Sequence, residues 1–212
     1  MRAERASKPR RLFLLRHGRT AWNDGGRAQG HADIPLDEFG RAQADAAAVY
    51  FASLDLAGIW SSDLARARET ADIVAAGAPV KPDARLREYD VGERQGLTVA
   101  ETAERWPHLG AGWELGNPPP GVPGCETYVD VESRIVPACR EALDELLPGE
   151  TGLVVTHGAC AKVAIAGLLG WPQSVAATLR GLDNCGFAII EERSRDGRLR
   201  LAGYGVPPIS RT

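Results

Sequence analysis

Charge of one sign is nowhere in excess: 25 Lys and Arg stand against 28 Asp and Glu, a formal net charge of −3. Such a balance argues against nucleic acid or an anionic membrane as a general partner. A phosphate-bearing ligand would have to be drawn by a local arginine cluster. The sequence also lacks any apolar run approaching the length of a membrane span. Residues 1–11 are basic and polar, without the apolar core of a secretory signal. Residues 1–10 are therefore expected to be a flexible tail ahead of a single domain over 11–212, working in the cytoplasm. The four cysteines form no C-x-x-C pair and are expected as reduced, mostly buried thiols. The four histidines are scattered, with no His-x-x-His spacing, so neither a metal site nor a cofactor is expected. No internal repeat is present, and nothing in the chain speaks to oligomeric state.

The apolar content of 44% and charged content of 25% over 212 residues are those of a globular chain able to bury a sizeable core. Leu12 to Leu15 and Leu153 to Val155 are short continuous apolar runs, the pattern of strands buried on both faces of a parallel sheet. Each ends in a His-Gly pair, His17-Gly18 and His157-Gly158. Residues 186–191 read as a third strand, 199–204 as a weaker edge strand, and 58–60 as a very short one. Helices are expected over Asp37 to Phe51, Leu64 to Ala76 and Ala159 to Leu169. Another opens at a capping box of Thr98 and Glu101 and stops at Trp106-Pro107. From Thr127, apolar residues at Tyr128, Val131, Ile135, Cys139, Ala142 and Leu146 mark one face of a long helix, which Pro137 should kink or interrupt. Strands alternating with helices indicate an α/β three-layer sandwich, a mostly parallel central sheet with helices on both faces. Gly110 to Gly124, rich in proline and glycine, reads as a long loop.

In an open α/β sheet, ligands bind beyond the carboxyl ends of the strands, where Arg16-His17-Gly18 is placed. A histidine with one free ring nitrogen is a good nucleophile toward phosphorus, and an adjacent arginine binds phosphoryl oxygens in a bidentate way. Gly18 is expected to let the backbone turn sharply and a ligand approach closely. Thr20 and Asn23 follow, then Arg27, Gln29, Gly30, Asp33, Pro35 and Leu36, then Glu38 and Gly40. Later come Ser61-Ser62-Asp63-Leu64, Arg66-Ala67 and Thr70-Ala71, then Leu86-Arg87-Glu88, Gly92-Glu93 and Gly96-Leu97, and last Thr156-His157-Gly158.

This ordered set resembles the histidine phosphatase superfamily, which contains the cofactor-dependent phosphoglycerate mutases, over about residues 11–191. The resemblance implies metal-independent phosphoryl transfer through a phosphohistidine on His17. It makes Arg16 and Arg66 the phosphate-binding arginines, His157 a second pocket histidine bonded to a phosphoryl oxygen, and Glu88 the proton donor. Asn23 is expected at the pocket edge as a neutral donor to the phosphoryl group. Phosphoryl transfer asks mainly for positioning and neutralisation of the equatorial oxygens, which two arginines and a protonated His157 would supply.

Some residues compete with these or fall outside them. Asp90 and Glu93 rival Glu88, which the motif favours. Arg68, two residues past Arg66, should point elsewhere on its helix and be solvated, and His31 and His108 match no pocket position. Many relatives carry Gly-Gly-Glu-Ser where this chain has Gly124-Cys125-Glu126-Thr127, and His-Gly-Gly where it has His157-Gly158-Ala159. Cys125 is expected to be a packing residue rather than a reactive thiol. The stretch from Glu88 to His157 is short, and residues 106–123 contain no Lys or Arg. A mutase needs a fuller lid with cations for the substrate carboxylate. The expected activity is therefore hydrolysis of small phosphorylated metabolites, similar to bacterial broad-specificity and glucosyl-3-phosphoglycerate phosphatases. A mutase, or an inactive binding member, are the alternatives. Trp106 and Trp113 are either walls of the substrate site or core residues pinning the loop.

Overall fold

A computed structural model of the chain describes residues 8–109, 121–193 and 196–208. Among them, six strands form one sheet: β1 (Arg11–Arg16), β2 (Leu56–Ser61), β3 (Lys81–Pro82), β4 (Thr151–Thr156), β5 (Phe187–Glu192) and β6 (Leu199–Val206), in the spatial order β3-β2-β4-β1-β5-β6. β1, β4, β2 and β3 run parallel, whereas β5 and β6 are antiparallel additions at one edge. The helices are α1 (Ala21–Asp24), α2 (Glu38–Phe51), α3 (Ala65–Ala75), α4 (Val99–Arg105), α5 (Tyr128–Asp144), α6 (Gly158–Leu169) and α7 (Gln173–Ala176). No described helix is long and apolar enough to cross a membrane.

The continuous apolar run of β1 has a direct physical reason. Leu12 and Leu14 point into a core shared with Val131, Ile135 and Cys139 of α5 and Val163 and Ile165 of α6. Phe13 and Leu15 point the other way, against Ala44, Ala47 and Phe51 of α2 and Ala67 and Ala71 of α3. Side chains alternate across a strand, so a strand covered on both faces must be apolar at every position. The same division of β4 makes the layered α/β sandwich.

The caps are where the residue types suggest. The Asp37 carboxylate accepts from Gly40 N at 2.7 Å, opening α2. Thr98 and Glu101 form the reciprocal capping box of α4. Of the two effects expected at Pro137, interruption does not occur: α5 continues through it. Pro137 lies on the exposed face, where water can reach the carbonyl it frees, while Ile135, Ala138 and Cys139 anchor the helix in the core. That burial outweighs the roughly 3 kcal/mol cost of an interior proline. At the start of the chain, residues 1–7 lie outside the described residues. Within the expected tail, Arg10 is fastened to both Glu192 oxygens at 2.7 Å and to Leu143 O at 3.0 Å.

Gly18 is needed for a reason other than ligand approach. A Cβ there would stand 2.5 Å from Gly40 O, and one at Gly40 would stand 2.0 Å from Arg19 O. The loop leaving β1 is pressed backbone to backbone on the first turn of α2. Gly40→Ala is therefore expected to force the two apart and to destabilise by roughly 1–3 kcal/mol, the usual cost of overpacking. Urea denaturation monitored by circular dichroism checks this, and an unchanged midpoint would contradict the close contact.

Candidate active site

Because β1 and β4 are parallel neighbours with Arg16 opposite Thr156, the residues that follow them, His17 and His157, emerge side by side. His17 N donates to Thr156 O at 3.0 Å, and the imidazole rings sit 5.1 Å apart, edge to face. β2 ends beside β4, and after Ser61-Ser62-Asp63 the first turn of α3 delivers Arg66. Glu88 comes from the segment between a short 3-10 turn (Ala84–Leu86) and Gly92, facing the N-terminus of α6. Arg16, His17, Asn23, Arg66 and Glu88 line one cavity of about 270 Å³, together with Gly158.

Hydrogen-bond chemistry assigns both histidine tautomers. His17 Nδ1 lies 2.7 Å from Gly18 O, which can only accept, so Nδ1 carries the proton and Nε2 the lone pair. Arg66 Nε donates to His157 Nδ1 at 3.1 Å, so that nitrogen is unprotonated. The His157 proton sits on Nε2, 2.9 Å from Ser62 Oγ. Both rings are buried, and burial together with the Arg66 and Arg16 charges pushes both well below the usual imidazole range. The expected imidazolium at His157 is thus corrected: an acceptor locked by a guanidinium keeps this ring neutral.

Arg66 is fully buried. Besides His157 it donates to Ala32 O and Gly30 O, each at 2.8 Å. These bonds use three of its five N–H groups and leave two toward the cavity. Burial lowers its pKa to about 10, so it stays charged at neutral pH. Arg16 donates to Leu182 O at 2.6 Å, but its buried Nε has no hydrogen-bond partner. The guanidinium lies against the start of α6, where a Cβ on Gly158 would meet that Nε at 3.4 Å, an ordinary contact. A buried donor without an acceptor costs free energy, and an anionic oxygen in the cavity removes that cost.

Glu88 Oε1 accepts from Tyr89 N and Cys160 N, and Oε2 from Ala159 N, each at 3.0 Å. The carboxylate is thereby held on the first turn of α6. The rival carboxylates are engaged elsewhere. Asp90 Oδ1 accepts from Gly92 N and its Oδ2 lies 3.7 Å from His31, while Glu93 pairs with Arg105. Asn23 Oδ1 accepts from Thr20 N at 3.2 Å and from Asn184 Nδ2 at 3.4 Å, which makes its Nδ2 the donor end.

Other expectations meet the structure unevenly. Arg68 pairs with Asp72 on the surface, and His108 is exposed. His31 is more than a loop residue, since its Nε2 donates to the Glu88 carbonyl at 2.8 Å. Trp106 packs with Val122, and Trp113 lies outside the described residues. Burial raises the Cys125 thiol to about 11, in keeping with packing. Sequence reasoning missed Arg27, Arg94 and Lys162, which also line the cavity. Lys162 had a signal: it is the one charged residue in the otherwise apolar stretch Ala159 to Leu169, and it lies on the same helical face as Ala159. Among the described residues, no three His, Cys, Asp or Glu side chains are grouped to hold a metal ion.

Comparison with known proteins gives the family of the chain. Residues 12–204 match the histidine phosphatase superfamily, branch 1. A probable phosphoglycerate mutase, GpmB, of Cronobacter sakazakii is 37% identical over 185 residues, covering 85% of this chain and 84% of its own. A glucosyl-3-phosphoglycerate phosphatase of Mycolicibacterium vanbaalenii is 36% identical over 195 residues, covering 88% and 86%. Among solved structures, a mycobacterial glucosyl-3-phosphoglycerate phosphatase in complex with VO3 superposes with a TM-score of 0.82 at 34% identity, covering 93% of this chain and 99% of that one.

The two neutral histidines make stability depend on pH. Their folded pKa values lie below the unfolded value of about 6.5. As pH falls through that value the unfolded chain takes up protons that the folded one does not, so stability present above it is lost. Each ring contributes up to about 1.4 kcal/mol per pH unit in this window. Tm is expected to drop between about pH 7 and about pH 5.5, and less steeply in His17→Asn. Parallel Tm curves for the two proteins would contradict the assignment.

Proposed function

Because this chain belongs to the histidine phosphatase superfamily and is a phosphohydrolase of it, we propose that His17 is the nucleophile, Arg16 and Arg66 hold the phosphoryl group, and Glu88 is the proton donor. The observation that carries this reading is the pairing of His17, its lone pair on Nε2, with the unsatisfied buried Nε of Arg16 in one cavity. In the first half-reaction Nε2 forms a bond to phosphorus as the ester P–O bond breaks, and the departing electron pair and a proton from the Glu88 carboxyl both go to the leaving oxygen. The ring gains positive charge as the N–P bond forms, and the Nδ1–H bond to Gly18 O stabilises it. In the second half, water attacks phosphorus, the Glu88 carboxylate takes its proton, and the N–P electron pair returns to Nε2. Arg16, the two remaining N–H groups of Arg66 and the Asn23 amide neutralise or bind the equatorial oxygens. His157 serves as a neutral partner that orients Arg66, its Nε2–H held by Ser62 Oγ at 2.9 Å and not by the phosphoryl group.

The substrate class follows from charge. Arg27, Arg94 and Lys162 line the same cavity as Arg16 and Arg66, and Glu88 is the carboxylate among them. Arg27 is itself paired with Glu101, and the cationic lining as a whole favours a substrate that carries a second anionic group beside its phosphate. A phosphomonoester of a hydroxy acid or of its glycoside, such as glucosyl-3-phosphoglycerate, meets that demand and agrees with the names of the mycobacterial phosphatase relatives. Free thiols at all four cysteines support work in the reducing cytoplasm. The mutase reading draws on the name shared by the GpmB relatives; the hydrolase reading expects that 3-phosphoglycerate releases inorganic phosphate and is not converted to 2-phosphoglycerate.

Two measurements test this. Labelled substrate quenched without acid is expected to leave one acid-labile, base-stable phosphate on the protein, absent in His17→Ala. Label retained in that variant would overturn the nucleophile. Lys162→Met is expected to lower kcat/KM for glucosyl-3-phosphoglycerate by about tenfold or more, the worth of one charged hydrogen bond, with little change for p-nitrophenyl phosphate. Equal effects on both substrates would remove Lys162 from specificity.

A further inference from the structure

Far from the cavity in sequence, Arg134 of α5 places all five of its N–H groups on five acceptors. Nε and one Nη2 hydrogen take the two Glu126 oxygens at 2.8 and 2.7 Å. The other three go to main-chain carbonyls: Arg85 O at 2.9 Å, Arg87 O at 2.7 Å and Glu88 O at 2.9 Å. Glu126 completes the frame from the other side, accepting from Asp90 N at 2.8 Å with its carboxylate and donating its own N–H to Asp90 O at 2.9 Å. The chain is thus gripped immediately before and immediately after the residue whose side chain enters the cavity. The Arg134 and Glu126 side chains are 17% and 22% exposed, so water screens the pair little.

We propose that Arg134 and Glu126 are positioning residues that hold the main chain of Glu88, so that its carboxyl stands at the leaving oxygen. The proposal rests on the reading of Glu88 as the proton donor. Two rigid elements then determine where that carboxyl is. The Ala159 and Cys160 amides of α6 hold its oxygens, and the Arg134 fork on α5 holds its backbone. The two helices share one core, so backbone and carboxylate are referred to the same body. A planar guanidinium is required for this work. A lysine offers three hydrogens from a single point and cannot span a carboxylate and three carbonyls. His31 adds a further bond to the Glu88 carbonyl from a more exposed site and cannot replace the fork.

The test separates positioning from general damage by using the leaving group. Acid catalysis matters for an alkyl oxygen and hardly at all for p-nitrophenolate. In the full-length chain, Arg134→Lys is expected to slow burst-phase phosphorylation of His17 from glycerol phosphate by about tenfold to a hundredfold, and from p-nitrophenyl phosphate by less than about threefold. Glu88→Gln should show the same contrast more strongly, and adding Arg134→Lys to it should not widen the contrast. Should Arg134→Lys fail to melt cooperatively, Glu126→Gln, which unclamps the fork while keeping its shape, carries the same expectation. Equal losses on both substrates, with the contrast intact in Glu88→Gln, would overturn the positioning role and leave Glu88 as donor. Absence of the contrast in Glu88→Gln itself would overturn the donor, and this inference with it.

Discussion

The site depends on the register of one strand pair. β1 and β4 lie parallel with Arg16 opposite Thr156, so two sequence segments about 140 residues apart end at the same level of the sheet. A shift of a single residue would turn every side chain of β1 to the wrong core, since Leu12 and Leu14 serve one helical layer and Phe13 and Leu15 the other. The apolar burial that stabilises the sheet therefore also specifies which histidine meets which. The catalytic neighbourhood inherits its precision from the core, at no separate cost in conformational entropy.

Arg66 is the electrostatic counterpart of that constraint. Burying a guanidinium completely is unfavourable unless its hydrogens are satisfied, and the chain supplies Gly30 O, Ala32 O and His157 Nδ1. Two of those acceptors lie in the loop after α1 and the third follows β4, so the arginine ties that loop to the end of β4. It also decides the state of His157: the ring is held as acceptor toward Arg66 and as donor toward Ser62. A group expected to contribute charge instead contributes orientation.

What could be read in the sequence was what local chemistry dictates. The double-sided strands, the capping box of Thr98 and Glu101, the helix stop at Trp106-Pro107 and the gathering of Arg16, His17, Asn23, Arg66 and Glu88 follow from spacing, turn chemistry or motif. What could not be read depends on tertiary partners. Pro137 is tolerated because its helix is anchored on the other face, Gly18 is needed because Gly40 presses on it, and the neutrality of His157 requires knowing that Arg66 lies beside it. The two-residue strand Lys81–Pro82 is too short to have a period. Arg134 carries no local sign of its purpose, because its acceptors are main-chain carbonyls, and any sequence would supply those. Lys162 is different: a lysine inside an apolar helix is a visible anomaly, and its place in the cavity resolves it.

If Arg16 and Arg66 hold the phosphoryl group as proposed, they form a receptor whose arginines are already in place before anything enters it. Such a receptor recognises the tetrahedral oxyanion rather than the molecule that carries it. Orthophosphate, released at the end of each cycle, offers those same oxygens and is smaller than any ester. On the proposed reading, preorganisation then carries its own consequence, product inhibition: the tighter the empty site grips a phosphoryl group, the slower it empties.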